Sequence, residues 1–246
     1  MSARQLILDG LNRVFRLRGM ELRALPTDEN DASMETGLAR AARFVPEIAT
    51  VVDIGAAAGK WTRRSLRHFP KARHLLIEPL REREADLAAL RAAYPNVEFA
   101  LAAAGETLGE ITLNVAGDLD SSGVYGASVA NPRVVPQTTI DREIAERKLP
   151  APYFLKLDTH GFEVPILSGG SASLARTALL MIEAYNFSIC PGCMRFHELC
   201  AWLETRGFRP CDLIEPMRRP RDGALWQMDL VFARREHPAF ASTSYR

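Results

Sequence analysis

No stretch of this chain stays apolar for the ~20 residues that a membrane-spanning helix needs. No excess of one charge runs through it either. Its 246 residues carry 31 Lys and Arg against 30 Asp and Glu, a formal net charge of +1. A nucleic-acid partner usually leaves a strongly basic footprint, and that footprint is missing. The segment MSARQLILDGLNRVFRLRGM at 1–20 holds no uninterrupted apolar core of signal-peptide length, so the expected location is cytoplasmic. Internal repeats and low-complexity linkers are absent as well. What remains is 47% hydrophobic and 25% charged, the ordinary profile of a globular protein. A chain this long buries roughly 70–75% of its unfolded surface, so its core requires neither a metal nor a disulfide.

Cysteine is scarce. The four residues, Cys190, Cys193, Cys200 and Cys211, all lie in the last quarter of the chain. With nothing pointing to export, reduced thiols are the expectation. The spacing Cys190-x2-Cys193-x3-His197-x2-Cys200 offers four zinc-ligand types. It matches no common zinc pattern and reads as a turn followed by a helix. These residues are therefore expected to pack as small side chains, without metal.

Residues 3–18 place Ile7, Leu11, Val14 and Phe15 on one helical face, with Arg4, Arg13, Arg16 and Arg18 among the polar positions. Such a helix docks on its own domain or on a second copy more readily than on a membrane. A homodimer through this arm is the partner expectation. The division expected is an N-terminal helical arm over 1–45, one domain over 46–236 and a C-terminal tail over 237–246.

From residue 50 short apolar runs alternate with helical stretches. Strands are predicted at 50–54, 74–77, 97–101, 111–115, 153–157, 178–182, 208–214 and 226–232. Helices are predicted at 34–45, 61–68, 81–93, 139–147, 164–174 and 196–205. This alternation specifies a mostly parallel sheet covered on both faces. Only a Pro- and Gly-containing turn, 216–223, separates the last two strands, so they should pair antiparallel. The fold class is α/β, a doubly wound Rossmann-like sheet of the class I methyltransferase type.

The first strand runs into Asp53-Ile54-Gly55-Ala56-Ala57-Ala58-Gly59. A dinucleotide fingerprint would need glycine at 55, 57 and 60, where this chain has Gly55, Ala57 and Lys60. The turn fits instead a D-x-G-x-G-x-G pattern with alanine at the middle glycine, in which backbone closes on the methionine end of S-adenosylmethionine. Glu78 ends the second strand, where a carboxylate can accept both ribose hydroxyls. It also suits a helix start. Asp53, Gly55, Ala56, Ala57, Gly59, Glu78 and Asp158 form the expected cofactor set.

These segments resemble the FkbM-type methyltransferases. The resemblance rests on VVDIGAAAGKWT at 51–62, IEP at 77–79, TTID at 138–141, FLKLDTHGFEVPILSGG at 154–170, LLMIEAYN at 179–186 and WQMDLVFAR at 226–234. It spans roughly 34–234, and 154–170 is its most specific part. One departure is His160, where many members carry an acidic residue before the glycine. The resemblance implies methyl transfer from S-adenosylmethionine to a hydroxyl of a sugar or small metabolite, a small-molecule or glycan acceptor.

An alcohol acceptor needs a base for its proton. His160, whose unperturbed pKa lies closest to neutral, is the first candidate, with Asp158 and Glu183 beside it at the strand ends. Glu163 suits a helix start as well as it suits a site. Thr139 and Asp141 read as caps, and the polar loop 117–123 reads as either a pocket wall or a plain connection. Asp158, Glu183 and Asn186 also offer oxygen ligands for magnesium, but the expectation is no metal. Two other readings stay open: a nucleotide-dependent oxidoreductase, and a partner protein that binds cofactor without turnover.

Overall fold

The computed structural model describes residues 31–124 and 131–244. The basic helix expected at 3–18, and the dimer expected through it, lie outside the described residues. Residues from Ala32 onward form one compact unit. Among the described residues no helix is long and apolar enough to cross a membrane.

Helix α1 (Met34–Phe44) starts at Ser33, whose hydroxyl accepts from the Thr36 amide. Met34, Leu38 and Ala41 recur at helical spacing and are buried, so this helix, assigned to the arm on sequence grounds, packs into the core. Strand β1 (Thr50–Ile54) is followed by α2 (Lys60–His68), β2 (Arg73–Ile77), a 3-10 turn and α3 (Glu84–Ala93), then β3 (Val97–Ala100). Strand β4 (Ala103–Ala104), β5 (Gly109–Asn114) and β6 (Pro132–Thr138) form a separate small sheet in the order β4-β6-β5. Helix α4 (Ile140–Glu146) leads to β7 (Tyr153–Leu157), α5 (Glu163–Ser168), α6 (Ser171–Ala175) and β8 (Thr177–Tyr185). Helix α7 (Phe196–Glu204), β9 (Phe208–Arg218) and β10 (Leu225–Arg234) complete the unit.

The main sheet has the order β3-β2-β1-β7-β8-β10-β9. Its first five strands are parallel, and β10 runs against both β8 and β9. This is the doubly wound class I methyltransferase arrangement, antiparallel strand included. Strand order reverses between β1 and β7, which opens a crevice at their carboxyl ends. Strands β1 and β7 are buried along their whole length, so they read as continuous apolar runs rather than alternating ones. Val52, Ile54, Leu155 and Leu157 face one core, while Val51 and Phe154 face the other, beneath α1.

Three expectations need correction. Strand β6 contains Pro132 and Pro136 and was not anticipated; β4 pairs only with its last two residues, so the prolines lie where that flank is open. The helix expected over 164–174 is two helices, because Gly169 and Gly170 interrupt it and Gly169 packs against the backbone of Gly105 and Glu106. Cys190 and Cys193, expected as separately packed reduced thiols, stand with their sulfurs together, as a disulfide pair would. The turn in which Cys193 N–H donates to the Cys190 carbonyl brings their Cα atoms to 5.2 Å, within disulfide reach. Cys200 and Cys211 are free.

Candidate active site

A cavity of about 370 Å³ opens at the switch point between β1 and β7. Its floor is the turn after β1, where Gly55, Ala57 and Gly59 all take positive φ angles, 75°, 46° and 71°. At Gly55 a Cβ would overlap the Asp158 carbonyl, so this position needs glycine on two counts. Gly55, Ala56 and Ala57 line the cavity. Gly59 instead caps α2 from beneath, against Leu90.

Glu78 is buried, and both of its oxygens are held. The Ala57 amide donates to Oε2 at 2.8 Å and the Leu80 amide to Oε1 at 2.9 Å. Burial pushes its pKa up, and those two amides and Arg83 pull against that. Each carboxylate oxygen keeps a second lone pair, so a diol can still bind at the cavity side.

Asp53 does not line this cavity. Side chains alternate along a strand, and Asp53 lies beneath the turn on the α1 side of the sheet. Thr62 Oγ1 donates to it at 2.6 Å, and the Lys156 ammonium stands 3.1 Å away. Lys156 also lies 3.3 Å from Asp158 and donates to the Gly55 carbonyl at 3.4 Å. Burial alone would lower the Lys156 pKa, but the two aspartates raise it on balance, so Lys156 is a buried cation. Sequence reasoning gave this lysine no role. The signal for it was the pairing of Asp53 with Lys156 across β1 and β7.

Asp158, His160 and Glu183 converge at the inner end of the cavity. His160 Nε2 is 3.7 Å from Asp158 Oδ1 and 3.6 Å from Glu183 Oε2. Its other nitrogen, Nδ1, is 3.1 Å from the Ser122 carbonyl. A carbonyl only accepts, which assigns a proton to Nδ1 and turns Nε2 toward the two carboxyl groups. The loop 117–123 therefore belongs to the site, since it orients the ring.

Burial, the Asp158 charge and Asp229 push the Glu183 pKa up to about 9. Asp158 goes the other way. Burial raises it, but Lys156 and His160 outweigh burial and hold it below its ordinary value. The pair therefore shares one proton near neutrality, carried by Glu183 and directed at Asp158. Tyr185 and Gln227 donate to the two oxygens of Glu183. Neither residue was anticipated, nor was Asp229, which pairs with Glu183 in register. Burial, aided by Asp158, raises the Asp229 pKa to about 7.

These shifts carry a pH consequence. A carboxyl group whose folded pKa is raised binds more protons folded than unfolded, so stability falls as pH rises between its two pKa values. Glu183 should act from about 4.5 to about 9. Denaturation midpoints should drop across that window. Glu183→Gln should flatten the decline and be the more stable protein at pH 9, by on the order of 2 kcal/mol. Parallel pH profiles for the two proteins would show that Glu183 is not the group responsible.

Glu163 and Asp141 brace the scaffold. Glu163 accepts from the Gly161 amide at 2.9 Å and from Thr159 Oγ1 at 3.1 Å. Thr139 caps α4, while Asp141 caps α6 by accepting from the Ser173 and Ala172 amides. Asn186 donates to the Leu225 carbonyl, away from the Asp158 cluster. Among the described residues Asp158, His160 and Glu183 are the three ligand-type groups that lie within 4.8 Å of one another. A cation there would compete with the Lys156 ammonium and with the Glu183 proton.

Sheet order and the cavity at the switch point define a class I methyltransferase fold. The Methyltransferase FkbM domain matches residues 53–210, well over half of the chain. This chain belongs to the FkbM methyltransferase domain family. Among solved structures it is similar to methyltransferase FkbM from Methylobacillus flagellatus, with 18% identity and a TM-score of 0.50 over 74% of this chain. It spans only 43% of that protein. A Burkholderia thailandensis 1,6-didemethyltoxoflavin-N1-methyltransferase, solved with its acceptor and S-adenosylhomocysteine, is 15% identical with a TM-score of 0.45, over 95% of this chain and 91% of that one. The precorrin-6y C5,15-methyltransferase of Geobacter metallireducens is 12% identical with a TM-score of 0.44, over 87% of this chain and 92% of that one. No curated protein matches the sequence.

Proposed function

We propose that this protein transfers a methyl group from S-adenosylmethionine to an oxygen of a small-molecule or glycan acceptor. The observation that carries the reading is the His160 ring, with Nδ1 committed to Ser122 and Nε2 turned to Asp158 at 3.7 Å. The residues of the cavity suit the cofactor. Glu78 offers lone pairs to the ribose diol, and the Gly55–Ala57 backbone leaves room for a close approach. When bound, S-adenosylmethionine supplies an electrophilic methyl group on a sulfonium, which leaves as the thioether of S-adenosylhomocysteine.

The acceptor hydroxyl loses its proton to His160 Nε2 as its oxygen becomes the nucleophile. The imidazolium that forms faces Asp158, whose negative charge stabilises it. Glu183 carries a proton at neutral pH, so it acts as a donor and positions Asp158 rather than serving as the base. A second cavity of about 470 Å³ shares Trp61, Lys156, Asp158 and Glu183 with the first. It offers room for the remainder of the acceptor beyond the two carboxyl groups, while the reacting hydroxyl lies beside His160 in the first cavity. Positioning the two reactants in line accounts for much of the rate gain in reactions of this kind.

The cofactor half of the reading has its own test. Glu78→Ala removes a charged acceptor from the ribose and should weaken S-adenosylhomocysteine binding by about 1.5–3 kcal/mol, roughly tenfold to 150-fold. Titration calorimetry on the folded variant reads this directly. Equal affinity would take Glu78 out of the site.

A further inference from the structure

We propose that Cys190-Pro191-Gly192-Cys193 is a thiol–disulfide exchange site whose oxidation state sets the position of the His160 loop. Two cysteines separated by two residues form a redox pair wherever a partner thiol can reach one of them. Cys190 is half-buried and Cys193 buried, so Cys190 is the sulfur that a partner attacks. The pair lies in the connection from β8, which carries Glu183 and Tyr185, to α7. It lines neither cavity and packs behind the His160 turn, against Gly161.

The contact that matters is with Gly161. A Cβ on Gly161 would overlap the sulfurs of both Cys190 and Cys193, so both sulfurs rest on the backbone next to His160. That backbone is already strained. His160 has φ 53° and Gly161 φ 97°, the region that non-glycine residues avoid. The turn is held by the Ser122 carbonyl, by Glu163 and by the sulfur pair. Bonded sulfurs stand about 2.05 Å apart, whereas non-bonded ones need roughly 3.5–4 Å. Reduction must separate the sulfurs, and with both seated on Gly161 that separation moves the turn. His160 moves with it.

The exchange balances with an ordinary disulfide as oxidant. The Cys190 thiolate attacks one sulfur of the partner disulfide and expels the first thiolate. The Cys193 thiolate then attacks Cys190 in the mixed disulfide and expels the second. The protein loses two electrons and two protons, and the partner gains both as two thiols. Reduction by a dithiol runs the same steps in reverse. None of this depends on which acceptor is methylated.

The test uses the whole protein in glutathione buffers from fully reduced to fully oxidised. Samples quenched, denatured, alkylated and weighed should pass from four adducts, one for each cysteine, to two. Peptide mapping should place the loss at Cys190 and Cys193. In parallel, the His160 ring resonances, assigned by comparison with His160→Ala, should shift between the two end states. That shift should vanish in Cys190→Ser. Should that variant fail to fold, the two states of the wild-type protein carry the test alone. A pair that keeps one state across the whole range would overturn the proposal. So would identical His160 resonances in the oxidised and reduced folded protein, even if reduction lowered the melting temperature, because the pair would then be a structural staple.

Discussion

His160→Ala should lower the maximal rate on an accepted acceptor by about 10²–10⁴-fold, the usual contribution of a positioned general base. S-adenosylhomocysteine affinity should stay within a few-fold of normal, because His160 sits at the inner end of the cavity, away from Glu78. His160→Asn retains hydrogen bonding without a base and should fail almost as badly. In the wild-type protein turnover should rise with pH and level off above an apparent pKa that belongs to the enzyme–substrate complex. Near-normal rates in both variants would make the ring a structural element and pass the proton to Asp158. A phenolic acceptor is a poor choice for this measurement, since it gives up its proton with little help.

The second large effect concerns stability. Lys156→Met should destabilise the fold by about 3–5 kcal/mol, because it leaves Asp53 buried with no counter-charge. For a chain of this size each kcal/mol lowers the melting temperature by about 2–4 °C, so a fall of about 10 °C is expected. Adding Asp53→Asn should restore part of the loss, since one of the two carboxylates that face Lys156 goes with it. A single variant within about 1 kcal/mol of wild type in urea denaturation, the upper end for an exposed pair, would mean that the Asp53–Lys156 contact is not a buried ion pair.

Most of the main sheet was legible in the sequence. Strands buried on both faces, such as Thr50–Ile54 and Tyr153–Leu157, read as short continuous apolar runs, and the turn 216–223 was too short for a crossover. The small sheet was not legible, because two prolines in Pro132–Thr138 read as loop and only tertiary pairing makes that segment a strand. Residues at strand ends could be gathered from chain order, which is why Asp158, His160 and Glu183 were anticipated together. What lay behind them could not. Asp53 looks like a cofactor contact when read along the chain, but its role is set by Lys156, 103 residues away, on the neighbouring strand. Glu183 reads as a candidate behind His160 because its sequence neighbours are silent about its burial and about Asp158 and Asp229, which together raise its pKa. The orientation of His160 depends on the Ser122 carbonyl, and a backbone acceptor leaves no mark in residue identities.

Titration calorimetry of the wild-type protein with S-adenosylhomocysteine, and separately with NAD, tests the central claim most directly. S-adenosylhomocysteine should bind one per chain and lose most of its affinity in Glu78→Ala, while NAD gives no heat beyond dilution. Saturable NAD binding with no response to S-adenosylhomocysteine would contradict the account and return the cavity to a nucleotide-dependent oxidoreductase.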